Sequence, residues 1–121
     1  GVCFRPERYN GLALHDGALG PFWNAVAEQG LFAAVHGSFG SHMPSFANSR
    51  YTNTYFTHMI CHPFEQMAAC LDIVAGGVLQ RHPGLRVAFL ESGLGRLASL
   101  TPEVQLPPDN PITLYVFALP D

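Results

Sequence analysis

Two short apolar runs, each bounded by glycine, constrain the possible folds of this chain most strongly. They are "LFAAVH" at 31–36 and "LRVAFLESG" at 85–93. The first is continuously apolar rather than alternating, which is typical of a strand buried on both faces of a parallel sheet, and the second is predicted to be another buried strand, with an acidic residue and a glycine at its C-terminal end. Parallel strands need a long crossover connection, usually a helix. The pattern therefore predicts an α/β fold.

Helical signals lie between these strands. Asp16 offers a side-chain N-cap, and the residues behind it are apolar at helical spacing as far as Gly30, which suits a left-handed C-cap. A second helix is predicted from His62 to Pro83, with Pro63 in its first turn. The apolar stripes are Leu19, Phe22, Trp23, Val26 and Ala27, and then Phe64, Met67, Ala68, Leu71, Val74 and Val78.

The remaining segments complete the predicted order of elements. "GVCFRP" at 1–6 is predicted to form a first strand, and 37–55 a long loop. Gly76 and Gly77 cost roughly 1 kcal/mol each in helix propensity. We expect these glycines to let the second helix lie close to the sheet. The order strand, helix, strand, loop, helix, strand implies parallel crossovers.

Composition excludes several classes of function. The chain has 121 residues, a formal net charge of -3, and only six basic residues, all of them arginine. No basic stripe is present, so a nucleic-acid partner is not expected. The apolar runs are too short to span a bilayer. Three cysteines match neither a disulfide framework nor a thiolate zinc site. We therefore expect one soluble, cytoplasmic domain.

Three polar residues follow the predicted strands directly. Arg5, His36 and Glu91 each lie at a carboxyl end, where parallel α/β sheets bind their ligands. His36 is either a zinc or manganese ligand or a strand-terminal histidine that bonds to a nearby loop. Glu91 is a metal ligand, a general base, or an ion-pair partner of Arg5.

The other histidines give weaker signals. His58 and His62 have the i, i+4 spacing of a helical metal-binding pair. Pro63 disfavours a helical conformation for His62, so His62 is predicted to cap the following helix instead. His15 and His42 fall in predicted loops without an obvious partner. His82 is predicted to be an imidazolium at a helix C-terminus, where its charge suits the dipole.

Two long segments resemble the amidohydrolase-related family, which includes aminocarboxymuconate-semialdehyde decarboxylase and the dihydroxybenzoate decarboxylases. They are "NGLALHDGALGPFWNAVAEQGLFAAVHGS" and "HPFEQMAACLDIVAGGVLQRHPGLRVAFLESGLG". The family pattern is an aspartate-led helix, a strand ending in histidine, "HP-x-E", a helix with Gly-Gly-Val, and a strand running into a glycine turn. The matching positions are Asp16, Pro21, Trp23, Gly30, His36, His62, Pro63, Glu65, Gly76, Gly77, Val78, Arg81, Pro83, Leu85, Arg86, Val87 and Phe89.

This resemblance implies a fragment of a (β/α)8 TIM barrel and a metal-dependent enzyme. The family members cleave C–C bonds, usually by decarboxylating an aromatic or muconate-like acid, or they hydrolyse their substrates. His36 corresponds to a metal ligand, with zinc or manganese as the metal. If the chain is such an enzyme, we expect Glu91 to be a metal ligand or the catalytic acid/base, and we expect Arg5 and His62 to bind a small carboxylic acid substrate.

The sequence also departs from the family pattern. Many members have a histidine where this chain has Glu91. The family's H-x-H on the first strand and its aspartate on the last strand would lie before Gly1 and beyond Asp121. We assign 1–95 to a partial barrel segment, matching about the fourth to sixth βα units. The proline-rich stretch 96–121 is assigned to an atypical tail, in which "ITLYVFAL" is predicted to form a strand that covers a sheet edge.

Three functions remain open at this point. The first is a metal-dependent decarboxylase or hydrolase, weakly active or inactive as this chain alone. The second is a catalytically incompetent barrel fragment that associates with itself through exposed sheet edges. The third is a small-molecule binding module that uses the loop 37–55.

Overall fold

The computed structural model describes residues 1–37 and 49–90, together with the backbone of 115–117. The strands are β1 (Val2–Phe4), β2 (Phe32–His36), β3 (Arg86–Leu90) and β4 (Tyr115–Phe117). The helices are α1 (Gly20–Glu28), α2 (Thr54–Val74) and α3 (Val78–Arg81), and a 3-10 turn, Gly17–Leu19, precedes α1. The predicted α/β class is confirmed.

The four strands form one parallel sheet whose spatial order, β1-β2-β3-β4, is also their order along the chain. Phe4 pairs with Val35, and Val35 pairs with Phe89. β4 pairs with β3 and falls inside the predicted strand 112–119. The expectation that this strand covers a sheet edge is therefore confirmed for 115–117.

The core lies between the helices and one face of the sheet. Val35 and Phe89 on neighbouring strands are fully buried, as is Ile73 on α2. Trp23 on α1 is also buried, donates its indole N–H to the Leu14 carbonyl at 3.0 Å, and packs edge-to-face against Phe4. The predicted apolar stripe of the first helix is therefore confirmed at Trp23 and Val26.

The ends of the first helical segment match their predicted signals. The Asp16 carboxylate accepts the Ala18 N–H at 2.9 Å and caps the 3-10 turn that leads into α1. Gly30 follows α1 with a φ of 63°, a left-handed conformation that glycine adopts without strain. The two ends of this helical segment are therefore defined by interactions between residues that are close in sequence.

The predicted start of the second helix is wrong. α2 begins at Thr54, not at His62, and Pro63 lies inside it. The Asn53 side chain accepts the Tyr55 N–H at 2.9 Å and provides an earlier cap. An internal proline costs ~3 kcal/mol or more in an isolated helix. The cap and the buried α2 side chains beyond Pro63, which include Ile73, offset that cost.

The role predicted for Gly76 and Gly77 is also wrong. Gly77 has a φ of 75° and separates α2 from α3. A Cβ at Gly76 would overlap the Asp72 carbonyl oxygen and the Cβ of His15. Gly76 therefore leaves room for the loop before α1, and this loop, rather than the sheet, makes the close approach.

Hydrogen bonds hold that loop against the C-terminal end of α2. The Asp72 carboxylate accepts the Leu14 N–H at 3.1 Å and lies 2.9 Å from Nδ1 of His15. Arg81 donates to the carbonyl oxygens of His15 and Gly76, at 2.8 and 2.9 Å. His15, for which the sequence suggested no partner, is therefore paired with a carboxylate 57 residues away.

His82 differs from its prediction as an imidazolium at a helix C-terminus. It is buried, and its Nδ1 lies 2.7 Å from Oδ1 of Asn24. An amide oxygen only accepts, so Nδ1 carries the proton and donates it. Burial, with the nearby Arg81 charge, lowers the pKa of His82. The neutral imidazole therefore predominates in the folded protein.

Replacing Gly76 by alanine tests the packing of the loop on α2. Gly76→Ala is expected to lower the free energy of unfolding by about 2 kcal/mol, as for other overpacked sites. The measurement is urea unfolding followed by the fluorescence of Trp23. Gly17→Ala is the control, since a Cβ there meets nothing within 4 Å. Equal midpoints for the two variants would contradict the packing described.

The buried His82 makes stability depend on pH. Its folded-state pKa is lowered below the unfolded value of about 6.5. The stability that it contributes is therefore complete above about pH 6.5 and is lost as the pH falls through the folded pKa. The urea midpoint should decrease below pH 6.5, and His82→Gln should flatten that decrease. The same slope in both proteins would show that His82 is not responsible.

Candidate functional site

Strands β1, β2 and β3 end at one edge of the sheet, which brings the predicted site residues together. Arg5 is the first residue after β1, and His36 is the last residue of β2. His36 pairs with Leu90, the last residue of β3. Glu91 is next in the chain and lies outside the described residues. The common edge is therefore confirmed for Arg5 and His36.

Helix α2 adds two further imidazoles at this edge. The ring centre of His62 lies 5.7 Å from that of His36, with the ring planes at 81°. The ring centre of His58 lies 5.6 Å from that of His62. All three side chains are half-buried. The prediction that Pro63 would keep His62 out of a helix, and so apart from His58, is wrong.

The Gln66 side chain fixes the position of these rings along the direction of strand β2. This side chain is fully buried, and its Nε2 donates to the Val35 carbonyl at 3.1 Å. Because that carbonyl oxygen only accepts, the orientation of the amide group is determined. His58, His62 and Gln66 are spaced by four residues and so share one face of α2. The amide group ties that face to the end of β2.

Gly37, directly after β2, makes room for the site. A Cβ at this position would overlap Nδ1 and Cε1 of His62. The backbone of the loop and the imidazole ring are therefore in direct contact. Any larger residue at 37 would displace the ring.

Arg5 is held chiefly through its main chain. Its N–H donates to the Tyr9 hydroxyl at 2.9 Å, and that hydroxyl donates to the Arg5 carbonyl at 3.2 Å. Burial raises the pKa of Tyr9, which keeps this donor protonated. The Arg5 guanidinium lies 3.6 Å from the Glu7 carboxylate and is half-exposed. Such a surface ion pair contributes little and leaves the guanidinium accessible to another carboxylate.

The imidazole nitrogens at this edge are suitable ligands for a transition-metal ion, but the described residues place too few of them for a complete site. Imidazole nitrogens are good ligands for zinc, copper, iron and nickel. Within 1–37 and 49–90, however, no group of three or more His, Cys, Asp and Glu side chains is placed to hold a metal ion. A catalytic zinc site normally has three protein ligands. The described residues therefore fit a metal only as a partial ligand set.

Sequence reasoning missed two residues of this edge. Gln66 has no role in the predictions from the sequence. His58 has none either, because His62 is predicted to cap a helix instead of pairing with His58. The signal for both is the four-residue spacing of His58, His62 and Gln66. It becomes visible once Asn53, rather than His62, is taken as the helix N-cap.

Comparison of the chain with models of known protein families gives no match, and no curated protein matches it significantly. Among the helices of the described residues, none combines the length and the apolar character needed to cross a bilayer.

A substitution at Gly37 tests the contact between loop and ring. Gly37→Ala is expected to displace the His62 ring and shift the Cε1–H proton resonances of His36 and His62. Stability should fall by roughly 1–3 kcal/mol, the usual cost of overpacking. The measurement is NMR at pH 7.5, with the resonance of His15 as an internal control. Unchanged His36 and His62 resonances would contradict the contact.

Proposed function

We propose that this chain is part of a metal-dependent enzyme of the amidohydrolase type, a decarboxylase or hydrolase of a small aromatic or muconate-like carboxylic acid. His36 is its ligand to zinc or manganese. The observation that carries the proposal is the position of His36. It ends a buried parallel strand and lies 5.7 Å from His62, at the edge of the sheet where such enzymes bind substrate.

The order of the strands supports a barrel segment as the architecture. In a doubly wound sheet the order reverses at a switch point, whereas in a (β/α)8 barrel each strand lies beside its predecessor in the chain. Here β1 to β4 follow the chain order without a reversal. Four strands do not close a barrel. The outer edge of β1 is then the place where this segment would pair with other strands or with a second copy of itself.

Each proposed role follows from chemistry and position. A bound metal ion supplies Lewis-acid polarisation of a carboxylate or of water. His36 holds its place through β2, and a neutral imidazole is needed there for coordination. The exposed Arg5 guanidinium contacts the substrate carboxylate. His62, 5.7 Å from His36, contacts the bound acid. Glu91, next after β3, is the proposed acid or base.

In the decarboxylase form, the bond between the substrate carbon and its carboxylate breaks, CO2 leaves, and the electron pair remains on that carbon. A proton from Glu91 then adds to the same carbon. In the hydrolase form, Glu91 instead accepts a proton from water as the water oxygen bonds to the substrate carbon; the bond from that carbon to the leaving group then breaks, and Glu91 returns the proton to the leaving group. Both forms need a carboxyl group at the end of β3, and both place the substrate between Arg5 and His36.

One observation favours the alternative of an incompetent fragment or a simple binding module. The residues that the structure describes do not build a three-ligand metal centre. We therefore expect weak turnover at most for this chain alone. Cys3, Cys61 and Cys70 form no disulfide with one another, and burial raises the pKa of the Cys70 thiol to about 11. Cysteines that form no disulfide with one another support the proposal of a reducing cytoplasmic location.

The proposal is tested with 2,3-dihydroxybenzoate and salicylate as probe acids. Binding is measured by calorimetry with and without Zn²⁺ or Mn²⁺, and CO2 release by mass spectrometry. Metal should strengthen binding of the acid at least ~10-fold, a free-energy gain of about 1.4 kcal/mol. His36→Ala should abolish that gain and any CO2 release. His15→Gln, which leaves this edge of the sheet intact, is the control.

Two results would count against an enzyme of this type. Tight binding of the acid that is indifferent to metal and to His36→Ala would identify a binding module. Absence of both binding and CO2 release, with the chain folded, would identify an incompetent fragment.

A further inference from the structure

We propose that His58 and His62 together chelate a divalent transition-metal ion, such as Zn²⁺ or Ni²⁺, through one ring nitrogen each. This inference rests on the proposed function for the presence of a metal at this edge of the sheet. It deepens that function by adding His58 as a ligand and by making His62 a metal ligand rather than a substrate contact.

The geometry of α2 supports the pair. Residues four apart lie one above the other on the same face of a helix. The ring centres of His58 and His62 are 5.6 Å apart. Two imidazoles on one tetrahedral zinc, with nitrogens about 2.1 Å from the metal, have ring centres roughly 5 Å apart. Small rotations of the side chains therefore bring the two rings into a chelating arrangement.

The contact with Gly37 selects the nitrogen of His62 that is used. Nδ1 lies against Gly37, where a Cβ would overlap it. Nε2 is therefore the atom left to face a shared ion, and it is shielded from solvent. A ring held on one side by backbone loses less conformational freedom on binding than an exposed histidine does.

His36 and Gln66 give the pair a fixed surrounding. The His36 ring centre lies 5.7 Å from that of His62, on the side of the sheet edge. Gln66, one turn after His62, anchors α2 to the Val35 carbonyl at 3.1 Å. The face that carries both ligands is thereby fixed to the end of β2. Imidazole donors favour Zn²⁺, Ni²⁺ or Cu²⁺ over Mg²⁺ and Ca²⁺.

The affinity of such a site depends on pH. Each imidazole must be neutral to coordinate, so protons compete with the metal ion for the ring nitrogens. Binding is therefore expected to weaken as the solution is made more acidic. The exposed side chain of Met59, the neighbour of His58 on α2, provides a matched control position outside the pair.

The test is calorimetric titration of the full chain with Zn²⁺ alone at pH 7.5. His58→Gln and His62→Gln are each expected to weaken binding at least ~10-fold, and Met59→Gln is expected to leave it unchanged. In wild-type protein, Zn²⁺ should shift the Cε1–H resonances of His58 and His62 and not those of His15 and His82. If a variant fails to fold, these resonances of the wild-type protein still test whether His58 and His62 bind Zn²⁺.

The outcomes separate this inference from the proposed function. Normal Zn²⁺ affinity in a folded His58→Gln, together with its loss in His36→Gln, would overturn the chelating pair and leave the role of His36 intact. Loss in His58→Gln and His62→Gln but not in His36→Gln would support the pair and contradict the proposed role of His36. Absence of Zn²⁺ binding by the folded wild-type chain would overturn the chelating pair.

Discussion

The structure depends on the burial of β2 between two parallel neighbours. Ala33 and Val35 of this strand are fully buried, and its backbone pairs with β1 on one side and β3 on the other. A one-residue shift in register would put Val35 on the face where Ala34 is buried, and so would place a larger side chain where a smaller one packs. The position of His36 at the carboxyl end of β2 is fixed as a consequence.

The side-chain amide of Gln66 links the position of α2 to that of β2. Gln66 is buried and donates to Val35, the residue before His36. A buried amide that lost this partner would cost roughly 1–3 kcal/mol in unsatisfied hydrogen bonding. The bond therefore favours one placement of α2 along β2. It also determines that His62, one turn before Gln66, lies beside His36.

The sequence predicted those parts of the fold that depend on local chemistry. The apolar runs of β2 and β3, the Asp16 cap and the left-handed Gly30 all depend on neighbouring residues, and each is present as expected. The start of α2 depends instead on a competition between Pro63 and a distant core, which tertiary packing decides. Rules about the residue before proline could not reveal that outcome.

The candidate site was predicted only in part, for the same reason. The shared edge of Arg5 and His36 follows from strand topology alone. The approach of His62 to His36 requires knowledge of where α2 lies, and the pairing of His15 with Asp72 joins residues 57 positions apart. Neither contact leaves a pattern in local spacing. The placement of Glu91 at the same edge stays a prediction, because Glu91 lies outside the described residues.

The measurement that tests the central claim most directly is urea unfolding, followed by Trp23 fluorescence, with and without Zn²⁺. A ligand at about 100 times its Kd stabilises the folded state by roughly 2.7 kcal/mol. The account predicts a cooperative transition that Zn²⁺ moves to higher urea, and an effect of Zn²⁺ that is lost in His36→Ala. Transitions that coincide with and without Zn²⁺ would contradict a metal site at the carboxyl edge of this sheet.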